Sequence, residues 1–148
     1  IALWCGVANG AEEILLPEKF DHDYDKLIEQ IKKNRHSGMT HQIIINAEGI
    51  GHSTELAERI ENETGIETRA SILGHMQRGG SPTARDRMYA SMMGAYAVDV
   101  IDQGKKNRLI GYKDGHIYDV DVDEAFAMTK SIDEYEYEIA GILGTRTE

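Results

Sequence analysis

The chain has 148 residues, with 26 Asp and Glu against 16 Lys and Arg, for a formal net charge of -10 with histidines neutral. So much acid excludes a nucleic-acid surface as a bulk property, because phosphate-backbone binding needs clustered Lys and Arg to displace counterions. The lone Cys5 allows no internal disulfide, no apolar run approaches the roughly 18 residues of a membrane span, and the length suits a single domain over 1–148 in a cytoplasmic setting.

The opening apolar stretch up to Gly10 lacks a basic leader and starts with Ile1, not Met. It reads as the tail of a helix that begins outside the sequence, so a fragment of a longer chain is expected. Ile14-Leu15-Leu16, closed by Pro17, predicts a short strand. Asp23 is placed to cap a helix whose apolar stripe is Tyr24, Leu27, Ile28 and Ile31, with Lys32, Lys33 and Arg35 before Gly38. Ile43-Ile44-Ile45 does not alternate, as expected of a strand covered on both faces in a parallel sheet. Ser53 is then expected to cap a helix carrying Leu56, Ala57 and Ile60 up to Gly65, and 66–73 to form a third strand. Ser81-Pro82 suggests a cap and a first-turn proline for a long helix through Tyr89, Met93, Tyr96 and Val100 to Gly104. Lys113-Asp114-Gly115 marks a turn between antiparallel strands at 109–112 and 116–122, and a last helix is expected over 135–143.

Strands alternating with helices in this order predict an α/β fold: a doubly wound, mainly parallel sheet with helices on both faces, plus a small antiparallel hairpin near the C-terminus. Ligands of such sheets sit beyond the carboxyl ends of the strands, which directs attention to 48–51 and 74–80.

Residues 68–85 hold Arg69, His75, Arg78 and Arg85 and no acid. At this chain's acid frequency a gap that long has only a roughly 3% chance at any given place, so it is a locally positive patch suited to a small anion. Gly74, Gly79 and Gly80 let backbone approach a ligand, and the helix start after Ser81 offers N–H groups to a phosphate. Glu48 can accept hydrogen bonds from hydroxyls; with His75 and Arg78 it would give a pocket with one acceptor end and one cationic end, which suits a sugar phosphate. Other patterns fail. Gly49-x-Gly51 lacks the third glycine of a dinucleotide fingerprint, and there is no Walker loop. Asp119, Asp121 and Asp123 start like a calcium loop, but Glu124 and Lys130 occupy the wrong positions, so a solvated strand edge is expected. His36 and His41 lack partners at zinc spacing.

The strings Ala47-Glu48-Gly49, Glu67-Thr68-Arg69, Leu73-Gly74-His75 and, above all, Gln77-Arg78-Gly79-Gly80-Ser81-Pro82-Thr83 resemble the C-terminal half of bacterial ATP-dependent 6-phosphofructokinase, and the resemblance runs over essentially the whole chain. It implies transfer of the γ-phosphoryl group of Mg-ATP to the 1-hydroxyl of fructose 6-phosphate, in an allosteric homotetramer of glycolysis. It implies that Glu48, His75, Met76, Gln77 and Arg78 bind the sugar phosphate, while Arg69 reaches into the neighbouring subunit's site. Gly10, Ala11 and Glu12 match the family's magnesium-nucleotide segment in a regulatory site for ADP or phosphoenolpyruvate, with Glu12 a candidate contact to the effector's magnesium. His41 matches a basic position of that site. Ser37, Met39 and Thr40 stand where the family commonly has an arginine and lysines, so weak or altered effector control is expected. The family's glycine-rich nucleotide segment and its catalytic aspartate belong to the other half. No catalytic residue is therefore assigned here, Mg2+ and ATP are expected to bind mainly through that half, and the isolated chain is expected to be inactive. Two alternatives are a regulatory or assembly module without its own substrate pocket, and the equivalent part of a pyrophosphate-dependent enzyme.

Overall fold

The computed structural model describes residues 1–129 and 131–144, which leaves Lys130 outside the described residues. In chain order the elements are α1 (Ala2–Asn9), β1 (Glu13–Leu15), α2 (Tyr24–His36), β2 (Ile44–Asn46), α3 (Ser53–Thr64), a short 3-10 turn (Gly74–Arg78), α4 (Ala84–Asp102), β3 (Arg108–Lys113), β4 (His116–Asp121), α5 (Val122–Ala127) and α6 (Glu134–Gly144). Where the length suggested one unit, contacts group the chain into two: Ile1–Ile72 with Ser131–Glu148, and Leu73–Lys130. Among the described residues no helix is long and apolar enough to cross a membrane.

In the first unit β1 and β2 pair in parallel, Glu13, Ile14 and Leu15 opposite Ile44, Ile45 and Asn46. Successive side chains of a strand point to opposite faces, and here both faces are covered. Leu15 joins Leu27, Ile28 and Ile31 of α2 and Leu56 and Ile60 of α3 in one core cluster. On the other face Ile14 packs against a second cluster made by Leu16, Leu3 of α1 and Ala140 of α6. Gly6 lets α1 lie directly on β1, since a Cβ there would collide with the Ile14 side chain. The α/β class and the helices on both faces are thus as the pattern predicts.

Asp23 caps α2 as expected, its carboxylate accepting from the Lys26 N–H at 3.0 Å, and Lys33, Arg35 and His36 fill the last turn, where they answer the helix dipole. Two expectations fail in this unit. Ser53 is the first residue of α3 and does not cap it; the preceding His52 adopts a left-handed conformation with no side-chain cap. The stretch 66–73 forms no strand among the described residues. Its polar backbone is met locally, the Ile66 N–H by Thr64 Oγ1 at 3.1 Å and the Thr68 N–H by the Glu61 carboxylate at 3.4 Å. The described parallel ladder stops at two strands.

In the second unit the long helix begins later than Ser81-Pro82 suggests. Thr83 is its cap, in a reciprocal capping box: Thr83 Oγ1 accepts from the Asp86 N–H at 3.3 Å, and Asp86 accepts from the Thr83 N–H at 2.8 Å. Two satisfied donors outweigh the single one that a Ser81 cap would satisfy. β3 and β4 form the antiparallel hairpin, with Lys113 opposite His116. Asp114 and Gly115 between them both have positive φ, 51° and 84°, the backbone that matches strand twist in a two-residue turn. The short α5 was not anticipated; Asp121 caps it by accepting from the Asp123 N–H at 2.9 Å.

Candidate functional site

His75, Met76, Gln77 and Arg78 share the 3-10 turn of the second unit, between Gly74 and Gly79 at φ 51° and 89°. The turn is closed by bonds from the Met76 N–H to the Leu73 carbonyl at 2.9 Å and from the Gly79 N–H to the Met76 carbonyl at 3.1 Å. All four side chains are exposed. The acid-free stretch contains four cationic or titratable groups, and they divide cleanly. Arg69 is held by Glu67, Nη2 at 2.6 Å and Nε at 3.0 Å, and Arg85 donates to the Tyr89 hydroxyl at 3.2 Å. The side chains of His75 and Arg78 make no hydrogen bond, ion pair or ring contact among the described residues. A guanidinium left unpaired beside an imidazole on one tight turn is a ready partner for a dianionic ester, since charge-assisted bonds to phosphate are among the strong ones.

The start of α4, by contrast, does not fit a phosphate as expected. The Asp86 carboxylate already accepts from the N–H and the hydroxyl of the cap residue Thr83, and these bonds hold that carboxyl below its usual range. A fixed anion in that position repels a second one. The anion-binding reading therefore rests on the turn and not on the helix terminus.

Glu48 and Arg69 lie in the first unit. Glu48 is exposed and unpaired among the described residues, on the loop after β2. Asn46, which sequence reasoning missed, folds that loop back: its side-chain amide donates to the Gly51 carbonyl at 2.7 Å and to Ser53 Oγ at 2.9 Å. This also explains why Ser53 does not act as a cap. The Asn46 Oδ1 is buried without a partner among the described residues. The available signal was a polar side chain directly after an isoleucine run, at the carboxyl end of a strand.

Of the effector-segment residues, Gly10 ends α1 in the left-handed conformation and Ala11 is buried. Glu12 is engaged: its Oε2 accepts from the Ile43 N–H at 2.7 Å, and its own N–H donates to the Ile43 carbonyl at 3.0 Å. Burial first, and then the neighbouring Glu12, push the Glu13 carboxyl above its usual range. Glu12, Ser37 and Met39 line one groove of about 660 Å³ with Lys19, Lys26 and Lys33. Met39 is only 8% exposed, so a lysine at this position would have to bury its charge. His41 is exposed, with Nδ1 3.3 Å from Thr40 Oγ1. No group of three or more His, Cys, Asp or Glu side chains is placed to hold a metal among the described residues. The residues present therefore do not make a magnesium site by themselves.

The strand edge expected to be solvated contains a buried carboxylate instead. The Asp119 side chain is 7% exposed and accepts from Tyr96 of α4 at 2.9 Å, from Arg108 Nε at 2.7 Å and from Lys105 Nζ at 3.2 Å. These bonds, Tyr96 first and Arg108 next, lower its pKa from 3.8 to about 2. A carboxylate whose pKa is depressed in the folded state stabilises above its unfolded pKa, and that contribution is lost as pH falls through the folded value. Wild-type thermal stability is therefore expected to drop between about pH 4 and pH 2. Asp119→Asn should flatten that segment of the profile in a melting series; an unchanged slope would remove Asp119 as its source.

Residues 1–101 match the phosphofructokinase family, and the chain belongs to it. It is 53% identical over 143 residues to "ATP-dependent 6-phosphofructokinase 1" of Clostridium perfringens, covering 97% of this chain and 44% of that protein. It is 51% identical over the same length, with the same coverage, to "ATP-dependent 6-phosphofructokinase" of Clostridium botulinum. The chain thus spans less than half the length of these curated relatives. The fold resembles Pichia pastoris phosphofructokinase in the T-state, with a TM-score of 0.66 and 29% identity over 96% of this chain and 17% of that one. Saccharomyces cerevisiae phosphofructokinase matches with a TM-score of 0.67 and 26% identity, over 97% of this chain and 20% of that one.

Proposed function

We propose that residues 1–148 are the sugar-phosphate-binding part of an ATP-dependent 6-phosphofructokinase, which moves the γ-phosphoryl group of Mg-ATP to the 1-hydroxyl of fructose 6-phosphate. The observation that carries this is the exposed turn with His75 and Arg78 unpaired, in a chain whose relatives are named for that activity. In this reading Arg78 and His75 take the 6-phosphate, Met76 and Gln77 shape the turn's approach to the sugar, and Glu48 accepts from its hydroxyls. Arg69 leaves Glu67 to serve the neighbouring subunit of a homotetramer. Arg78 also lends positive charge to the transferring phosphoryl group, a role in which fixed cations lower the barrier. Gly10, Ala11, Glu12 and His41 contribute to an effector site for ADP or phosphoenolpyruvate, weakened by Ser37, Met39 and Thr40. The enzyme works in the cytoplasm, with its catalytic base and most of its Mg-ATP contacts in a part of the enzyme that this chain does not supply.

The relatives' names favour ATP over pyrophosphate as donor. A coupled assay of the full-length enzyme should show turnover of fructose 6-phosphate with Mg-ATP and none with pyrophosphate, and these 148 residues alone should show none with either. Turnover with pyrophosphate but not ATP would overturn the donor assignment. Measurable turnover from the isolated chain would overturn the division of labour.

A further inference from the structure

Tyr89 of α4 and Tyr112 of β3 are the one tyrosine pair in ring contact among the described residues: centroids 4.5 Å apart, planes at 36°, hydroxyls 3.3 Å apart. Neither phenol is deeply buried; Tyr112 is 39% exposed and Tyr89 half-buried, so a small oxidant or a peroxidase-generated radical reaches them from solvent. Arg85 donates to the Tyr89 hydroxyl at 3.2 Å, and its guanidinium lies 5.4 Å from the Tyr89 ring centre. The remaining tyrosines are placed differently. Tyr96 is committed to Asp119, Tyr24 packs on Phe20, and Tyr135, at 71% exposure, is the most open.

We propose that Tyr89 and Tyr112 form an oxidative modification site, in which a one-electron oxidant such as a haem peroxidase with hydrogen peroxide couples the two rings into an intrachain dityrosine that staples α4 to β3. Each phenol gives one electron to the oxidant and its hydroxyl proton to water. The two phenoxyl radicals then join through the ring carbons ortho to their oxygens, forming one C–C bond. The two ortho C–H hydrogens shift to the oxygens as the rings regain aromaticity. One hydrogen peroxide takes up the two electrons and two protons and leaves as two waters, so the chain becomes lighter by two hydrogens. Two features favour this pair. The tilted contact already holds the ring centres 4.5 Å apart, so coupling needs little motion before the radicals are quenched. The bonds from Tyr112 and Arg85 also hold the Tyr89 phenol below its usual pKa, which favours loss of its proton.

The test is limited oxidation of the full chain by peroxidase and hydrogen peroxide, followed by denaturing electrophoresis, dityrosine fluorescence and peptide mass mapping. Exposed Met76, Met88 and Met92 will be oxidised as well, but sulfoxide adds oxygen and is reversed by its reductases, whereas the C–C bond is not. The expected product is a monomer with one cross-linked peptide pair containing residues 89 and 112, lighter by two hydrogens. Tyr89→Phe and Tyr112→Phe should each lose the fluorescence, and Tyr118→Phe should keep it. Phenylalanine preserves the ring packing, and an unchanged circular dichroism spectrum would show that each variant is folded. Chains cross-linked to one another through Tyr135, or fluorescence that survives in folded Tyr112→Phe, would overturn the proposal.

Discussion

Replacing Arg78 by alanine in the full-length enzyme is expected to raise the KM for fructose 6-phosphate by about tenfold to a hundredfold, the usual loss for a charged hydrogen-bonded anchor. The expectation follows from what Arg78 lacks. Among the described residues no carboxylate neutralises it, unlike Arg69, which is held by Glu67. Its removal therefore costs the fold nothing visible, and the change should appear in substrate handling with thermal stability unaltered. If Arg78 also stabilises charge during transfer, kcat should fall together with KM's rise, because an interaction strengthened in the transition state is lost from both. Arg78→Lys should recover part of the binding, since it restores the charge without the planar fork. Steady-state kinetics with varied fructose 6-phosphate separate these cases. Unchanged KM and kcat in a folded Arg78→Ala enzyme would favour the assembly-module reading instead.

The second large effect is on stability. Ile28 is 1% exposed, at the centre of the cluster that joins Leu15 of β1 to α2 and α3. Truncation to alanine should cost about 2–5 kcal/mol, transfer of the lost methyl groups plus the cavity left behind. Native domains hold only about 5–15 kcal/mol in total, so Ile28→Ala should move a urea unfolding midpoint far to the left or leave the first unit unfolded at room temperature. Ile28 lies in α2 and Glu48 on the loop between β2 and α3, so substrate affinity should fall only where unfolding begins. A midpoint shift corresponding to less than about 1 kcal/mol would fall below the range of such series and contradict the central packing role given to Ile28.

What the sequence made legible was whatever is decided within a few residues. The Asp23 cap, the stripe of Tyr24, Leu27, Ile28 and Ile31, and the Asp114-Gly115 turn all depend on local geometry, and all were found where expected. The third strand was not legible, because a strand exists only through a partner ladder, and isoleucines at 66 and 72 say nothing about whether a partner lies alongside. The helix start was misread because Ser81-Pro82 and Thr83 with Asp86 are competing signals whose cap positions lie two residues apart, and only the second pair closes reciprocal bonds. Asp119 was misjudged for a related reason: alternating aspartates look solvated until Tyr96, Lys105 and Arg108 converge on one of them. In the candidate site the cationic turn was visible as charge without acid, whereas Asn46 was hidden, since its role depends on the loop folding back to Gly51 and Ser53.

The central claim is that the turn carrying His75 and Arg78 recognises the ester phosphate of a hexose. Calorimetric titration of the full-length enzyme with fructose 6-phosphate and with fructose, in wild type and in Arg78→Ala, tests it most directly. The account predicts a strong wild-type preference for the phosphorylated sugar that shrinks by at least about tenfold in the variant. The same preference in both proteins would contradict it.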